Sequence, residues 1–428
     1  MRPMWPRLTP DAPRHVRAAD PDARPGAPFF QWYYCWARDE ASGLHWSLTA
    51  SAVYCRDDDT LCKATNEGFY VVLMQTDAAR RTTFARYDRY PLEQAQPSSG
   101  AEQLVVRGAD GRARVRLVAS SNSDEVQVYA ASGAEGDLWR CDGCDGGTTA
   151  LSWNVTMRRE AGWYGQSFIE PLARAVGTLQ WNTYAHSSEA VGSVVVNGEA
   201  HTLSGGDRYR GYCDMNWGQY MLHAPRDGAD EPIDYAWGWY YAGGRLPAPD
   251  SRRVSVIAGV GRTSTDSKLL GTWTAAFADV RIIGTGDGDS FRVSGMHAVL
   301  PFATGGVASD GGMMHTFDVS RGAWATHADD LGKASIPLQQ NVSITGDSWS
   351  LELRFNSVEA CFNRLLFPAP RLNDTFSDFE CLGADVEVAF AGETEKFDLK
   401  SSSGGIEFGY QAPISPITMT SDASLTSA

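Results

Sequence analysis

The chain is 428 residues long, more than one small core usually supports, so two domains are the default reading, although large β folds can run longer as one unit. Its 37 basic and 52 acidic residues give a formal charge of -15, which repels nucleic acid and anionic membrane surfaces and excludes nucleic acid as a partner. Aromatic residues make up 11% of the chain and include 14 Trp, an excess that favours large internal faces or a cavity walled by rings.

The first 25 residues are rich in Pro, Arg and Asp without periodicity and read as a disordered tail; residues 416–428, rich in Ser and Thr, read as another. No stretch approaches the ~18 uninterrupted apolar residues of a membrane helix, so no membrane span is expected. The opening also lacks the apolar centre of a signal peptide, which makes the chain as written cytoplasmic. Eight cysteines, some closely spaced (Cys55 and Cys62, Cys141 and Cys144, Cys361 and Cys381), and sequons at Asn154, Asn341 and Asn373 support the alternative. That alternative is a secretory route with a leader absent from this sequence.

Between the tails, strand patterns dominate. From His45 to Tyr54 the residues Trp46, Leu48, Ala50, Ala52 and Tyr54 share one face while His45, Ser47, Thr49 and Ser51 share the other, the period of a half-buried strand. Trp349, Leu351, Leu353 and Phe355 oppose Ser350, Glu352 and Arg354 in the same way. Similar runs recur along the chain, punctuated by Gly, Asp, Asn and Ser clusters that suit hairpin turns. Only "EPLARAV" hints at a helical period. Many short strands without interleaved helices predict an all-β protein of antiparallel sandwiches or barrels. The turn-rich stretch 222–252 is the candidate crossing between two β domains, placed at 26–225 and 226–415.

Phosphate-cradling loops, dinucleotide fingerprints, zinc-protease helices and serine-nucleophile elbows are all missing from the sequence, so no cofactor is expected. "CDGC" at 141–144 has thiolate spacing, but no second pair lies at the usual distance, so no metal site is expected. Three stretches remain. "FFQWYYCW" sets Trp32, Tyr34 and Trp36 on one strand face, where core packing and ligand contact are both open readings. "GYCDMNWG" at 211–218 places Asp214 and Asn216 on one strand face, with Trp217 on the other. An Asx turn would satisfy this pair locally. Turned inward, the acid would be held protonated in an apolar cavity and could donate a proton or hydrogen bond. "DYAWGWYYAG" aligns Tyr235, Trp237, Trp239 and Tyr241 on one face, a wall suited to a polyene or a developing carbocation, or simply to core packing.

These three stretches, in this order, resemble landmarks of the double-lipocalin superfamily that contains carotenoid 1,2-hydratases, tocopherol cyclases and fungal Diels–Alderases. The resemblance covers residues 28–262 with recognisable landmarks. It implies two lipocalin-like β-barrel or β-sandwich domains packed together, a ligand pocket near their junction, and cofactor-independent chemistry on a large hydrophobic substrate. Carried over by position, Asp214 matches the acidic signature residue, the proposed proton donor of the hydratases. Tyr212 and Asn216 join it as the expected catalytic group. Trp217, Trp237, Trp239, Tyr241, Trp32 and Tyr34 are the expected substrate-binding residues. A histidine frequent near the signature in bacterial members is missing before Asp214, and His223 or His186 is the candidate substitute. The implied function is a cyclase or isomerase, pericyclase-like or proton-initiated, of a polyene, prenyl or polyketide intermediate. A hydratase of an isolated terpenoid or carotenoid double bond and a non-enzymatic lipid or pigment binder are the alternatives. Either a monomer or a homodimer would serve.

Overall fold

A computed structural model describes residues 28–77, 82–97, 103–107, 112–119, 125–131, 151–160, 164–165, 180–218, 235–264, 272–284, 289–300, 303–309, 312–329, 332–370 and 374–413. The "EPLARAV" and "CDGC" segments, both tails, His223 and Asn373 lie outside the described residues.

The first group of strands is β1 (Phe29–Asp39), β2 (Leu44–Tyr54), β3 (Gly68–Asp77), β4 (Thr82–Tyr90), β5 (Ala95–Pro97), β6 (Gln103–Arg107), β7 (Ala113–Ala119), β8 (Glu125–Ala131), β9 (Leu151–Arg159), β10 (Tyr164–Gly165), β11 (Gln180–Val196), β12 (Glu199–Ser204) and β13 (Tyr209–Gly218). They form one antiparallel sheet in the order β4-β3-β2-β1-β13-β11-β9-β8-β7-β6-β5, with β10 and β12 also paired to β11. The second group is β14 (Trp237–Arg245), β15 (Arg253–Ser264), β16 (Thr272–Ile283), β17 (Asp289–Leu300), β18 (Ala303–Ser309), β19 (Gly312–Asp329), β20 (Gly332–Gly346), β21 (Trp349–Asn356), β22 (Asn363–Pro368), β23 (Asp374–Gly392) and β24 (Lys396–Pro413). Their order is β21-β20-β19-β18-β17-β16-β15-β14-β24-β23-β22, and β21 also pairs with β23. That extra pairing closes the second sheet into a barrel, whereas β4 and β5 do not meet and the first sheet stays a half-barrel. The expected all-β fold of two packed lipocalin-like domains therefore holds. The one α-helix among the described residues, α1 (Thr60–Thr65), is capped by Asp59, whose side chain accepts from the Cys62 amide.

Strand alternation builds three layers of packing. The first sheet turns Tyr33, Cys35, Trp46, Leu48, Trp153 and Met215 into its own interior. The second fills its barrel with residues such as Tyr240, Ile406, Phe408, Leu351 and Phe355. Between the sheets lies a third cluster of Tyr34, Trp36, Tyr212, Trp239, Tyr241, Ile257, Phe277 and Leu382. The outward faces of β1 and β13 thus meet the outward faces of β14, β23 and β24.

This junction corrects one expectation. β2 is not half-buried: His45, Ser47, Thr49 and Ser51 are as buried as the apolar face, because the second domain covers them. Burial, with Arg38 nearby, pushes the His45 imidazole down to about 3, so it stays neutral. By contrast, β21 alternates buried and exposed residues as its sequence predicts.

Three disulfides join described cysteines: Cys35–Cys213, Cys55–Cys62 and Cys361–Cys381. The first spans 178 residues of sequence and joins two directly paired strands in the middle of the sheet. Closing so long a loop restricts the unfolded chain by about 3–5 kcal/mol. Replacing both Cys35 and Cys213 by Ala is expected to lower unfolding free energy by that order, measured by urea denaturation; an unchanged midpoint refutes the assignment.

Candidate functional site

On β13, the residues Tyr212, Asp214 and Asn216 face the junction, while Cys213 and Met215 belong to the interior of the first sheet. Asp214 sits in mid-strand, paired with Tyr34 on β1 and Thr183 on β11, and is 3% exposed. The β11 ladder is irregular just past this point, between Thr183 and Ala185 and again before Ser188. Such irregularity re-aims side chains beside a site. It is a mid-strand residue rather than an Asx turn. Tyr212 Oη donates to Asp214 Oδ2 at 2.7 Å and accepts from Trp239 Nε1 at 3.2 Å. Burial, then the charge of Asp214, raises the Tyr212 phenol well above its usual range, so it remains a donor.

The two aromatic stripes read from the sequence come together here. Trp32 meets Trp237 edge-on with centroids 5.8 Å apart, Tyr34 meets Trp239 at 6.5 Å, and Trp36 meets Tyr241 at 5.0 Å. Tyr212 packs on Trp36, Trp239 and Tyr241. Glycines make room for the indoles: a Cβ on Gly409 would lie 2.1 Å from the Trp237 ring, and one on Gly405 would lie 2.9 Å from that of Trp239. A cavity of about 50 Å³ opens against Trp32, Asp214, Asn216, Trp237, Trp239 and Glu407. Trp217 lies on β13 opposite Gln31, but its side chain is outside the described residues.

Sequence reasoning found Asp214 but missed the site's other three acids. Asp378 and Glu380 on β23, and Glu407 on β24, face the same junction; Glu380 pairs with Glu407, and Glu407 with Trp239, across neighbouring strands. Tyr34 Oη donates a short hydrogen bond to Glu380 Oε1, and Trp237 Nε1 donates to Glu407 Oε1 at 3.0 Å. Burial pushes the Glu380 carboxyl up to about 7, against the hydrogen bonds from Tyr34 and Ser47. Burial, then the charges of Asp214 and Glu380, pushes Glu407 up to about 8. Asp378 is raised well above the carboxylate range by burial and by Glu407 and Glu380. The signal in the sequence is "GIEFG" at 405–409, a Glu flanked on its own face by Gly405 and Gly409, which reads as an exposed polar position until the opposing indoles are known. Among the described residues no three His, Cys, Asp or Glu side chains converge as metal ligands would.

His186 does not pair with Asp214. Its Nδ1 lies 2.9 Å from Ser255 Oγ and its Nε2 lies 3.1 Å from Asp279 Oδ2, all fully buried at another part of the junction. Arg281 and Arg292 also bind Asp279. Burial alone would raise this carboxyl, but Arg281, His186 and Arg292 hold it far below its usual range.

No family model matches the sequence, and no curated protein matches it. Solved structures do. CghA is 10% identical and superposes with a TM-score of 0.50, covering 90% of this chain and 89% of its own. CghA with Sch210972 gives 9% identity and the same TM-score, coverage and extent. Kievitone hydratase from Nectria haematococca is 11% identical with a TM-score of 0.48, covering 94% of each chain. At these identities the likeness to CghA establishes a shared fold. The expected all-β architecture is thus shared with CghA.

The raised acids set the pH response of stability. Glu380 and Glu407 bind protons more tightly folded than unfolded, so their contribution is fully present below about 4.5 and is lost as pH rises through about 7 and 8. Stability is expected to fall by a few kcal/mol between pH 5 and 9, and the fall should shrink in Glu407→Gln. Denaturant titrations at several pH values check this; a flat profile refutes it.

Proposed function

We propose that the protein is a cofactor-independent cyclase or isomerase that folds a linear, hydrophobic polyene or prenyl substrate in the junction between its two domains. The observation that supports this most directly is a set of acids facing an aromatic cavity: Asp214 and Glu407 line the same space as Trp32, Trp237 and Trp239. Ring faces attract positive charge, so indoles around an acid suit a substrate that passes through a carbocation. A water-poor site also strengthens each electrostatic contact. The cavity of about 50 Å³ accepts a terminal branched group rather than a whole polyene. Shape and orientation supply part of the barrier lowering, and proton transfer supplies the rest.

Hydration is the variant of the same chemistry in which water captures the cation. Retention without conversion is the behaviour of a lipid or pigment carrier, which an apolar cavity alone would support. Incubation with linear prenyl and polyene alcohols, followed by mass spectrometry, separates these outcomes. An isomer of unchanged mass marks the cyclase and a gain of one water the hydratase. A probe that binds, quenching tryptophan fluorescence, but returns unchanged marks a carrier and refutes the enzyme reading. Asp214→Asn is expected to lower conversion by about 10²–10⁴-fold.

We propose in addition that the chain matures in an oxidising compartment. The support is the three disulfides, which reducing cytosol disfavours, together with the exposed positions of the sequon residues Asn154 and Asn341. Protein made in a eukaryotic secretory host should lose mass on N-glycanase treatment, and Asn154→Gln with Asn341→Gln should abolish the change at these positions; unmodified peptides at both refute glycan use.

A further inference from the structure

We propose that Glu407 is the proton donor of this site and that Asp214, across the cavity, is the proton acceptor. The assignment rests on the reading of the junction as a catalytic site and reverses the role that the family resemblance suggests for Asp214. Both residues line the cavity, from strands of different domains, with the reacting end of a substrate between them. Their hydrogen bonds differ in kind. Asp214 Oδ2 receives the end of a directed chain, Trp239 Nε1 to Tyr212 Oη to Asp214 Oδ2, and each donor in it favours a charged carboxylate. Glu407 Oε1 accepts a single indole N–H, from Trp237.

The remaining surroundings favour the same split. Glu407 is partly buried, between Gly405 and Gly409 on its own strand, with the rings of Trp237 and Trp239 filling the space above those glycines. Its charged and titratable neighbours are Asp214 from β13, Glu380 and Asp378 from β23, and beyond Glu380 the Tyr34 phenol from β1. Among the described residues, no Lys, Arg or His lines the cavity. Burial and these carboxylates keep Glu407 neutral around pH 7. A neutral acid facing a second carboxyl that accepts a phenol hydrogen bond is a pairing suited to acid and base roles.

The electron and proton balance is simple. The Glu407 O–H bond breaks as a C–H bond forms at the less substituted carbon of a terminal double bond, leaving a cation on the more substituted carbon. The next double bond supplies the electron pair that closes a ring. Asp214 then removes a proton from a carbon beside the final cation, and that C–H pair becomes the new double bond. Substrate and product are isomers. The protein ends with its proton on Asp214 and its charge on Glu407, and exchange with water after product release restores both. If water adds instead, Asp214 takes the proton of the added water.

Infrared spectroscopy of the full chain without substrate tests the assignment. The wild type is expected to show, within the stretching band of protonated carboxyls at pH 7, a component that titrates near 8, and E407Q is expected to lack that component while keeping those of Asp378 and Glu380. E380Q should remove a different component that titrates lower, near 7. In conversion of a linear prenyl alcohol, E407Q should lose at least 100-fold in turnover and E407D should recover part of it with a shifted pH profile. A wild-type spectrum without a component titrating near 8, or an E407Q spectrum that keeps that component, overturns the proposal. If E407Q does not fold, an E407D band with unchanged titration overturns it equally. Failure of every prenyl and polyene probe to bind, with that component present and lost in E407Q, overturns the enzyme reading while leaving Glu407 as the neutral acid.

Discussion

A carboxyl group taken out of water must find hydrogen bonds, a cation or a proton to replace the solvent it has lost. At the junction of the two sheets, Asp378, Glu380 and Glu407 have one another and Asp214 as their strongest charged influences, so protons make up the difference. The rest of the site depends on that shortage of cations. It requires walls that exclude water, which Trp32, Trp237, Trp239, Phe376 and Tyr212 provide by tilted and edge-on contacts. It requires room for those rings, which Gly405 and Gly409 leave open. It also requires the two domains to face each other with outer, not inner, strand surfaces, so that chemistry and domain packing share one layer.

Elsewhere along the same junction the protein solves the same problem in the opposite way. Asp279 is as deeply buried, yet it is surrounded by Arg281, Arg292 and His186 and stays ionised. Arg210 and Arg253 likewise hold Glu160 below its usual range despite burial. The first cluster joins β11 to β15 and β16, the second joins β13 and the end of β9 to β15, and both fix how the domains sit together. Arg38 donating to the Leu382 carbonyl and Asn363 donating to Thr76 add to the same fixing. Among the described residues, compensated charge ties the domains together, and the acids short of cations gather at the aromatic part of the junction.

Much of this was legible in the sequence, because strand alternation is a local signal. Trp32, Tyr34 and Trp36, then Trp237, Trp239 and Tyr241, stand at period two, and that spacing alone places each set on one face. Their mutual contact was not legible, since it depends on which outer face the second barrel covers. The same ignorance made β2 look half-solvated when both of its faces are buried. Asp214 stood out because an acid and an amide flank Met215 in a run with few polar neighbours. Glu380 and Glu407 did not, because "SDFEC" and "IEFG" are ordinary alternations with an acid on what reads as the wet side. Their meaning comes from partners brought in by β1, β13 and β14. Cys35 and Cys213, separated by 178 residues, gave no sequence signal of pairing at all.

That cystine has a further effect on the acids. It ties together the two strands that bear Tyr34 and Asp214, at positions immediately beside both residues. Sliding β1 past β13 by a single step would swap inward and outward faces and turn a carboxylate into the oily interior of the half-barrel. A covalent rivet beside them forbids that slip, so the alignment of the acid with its tyrosines is locked by the oxidation state of sulfur as well as by the weaker forces around it.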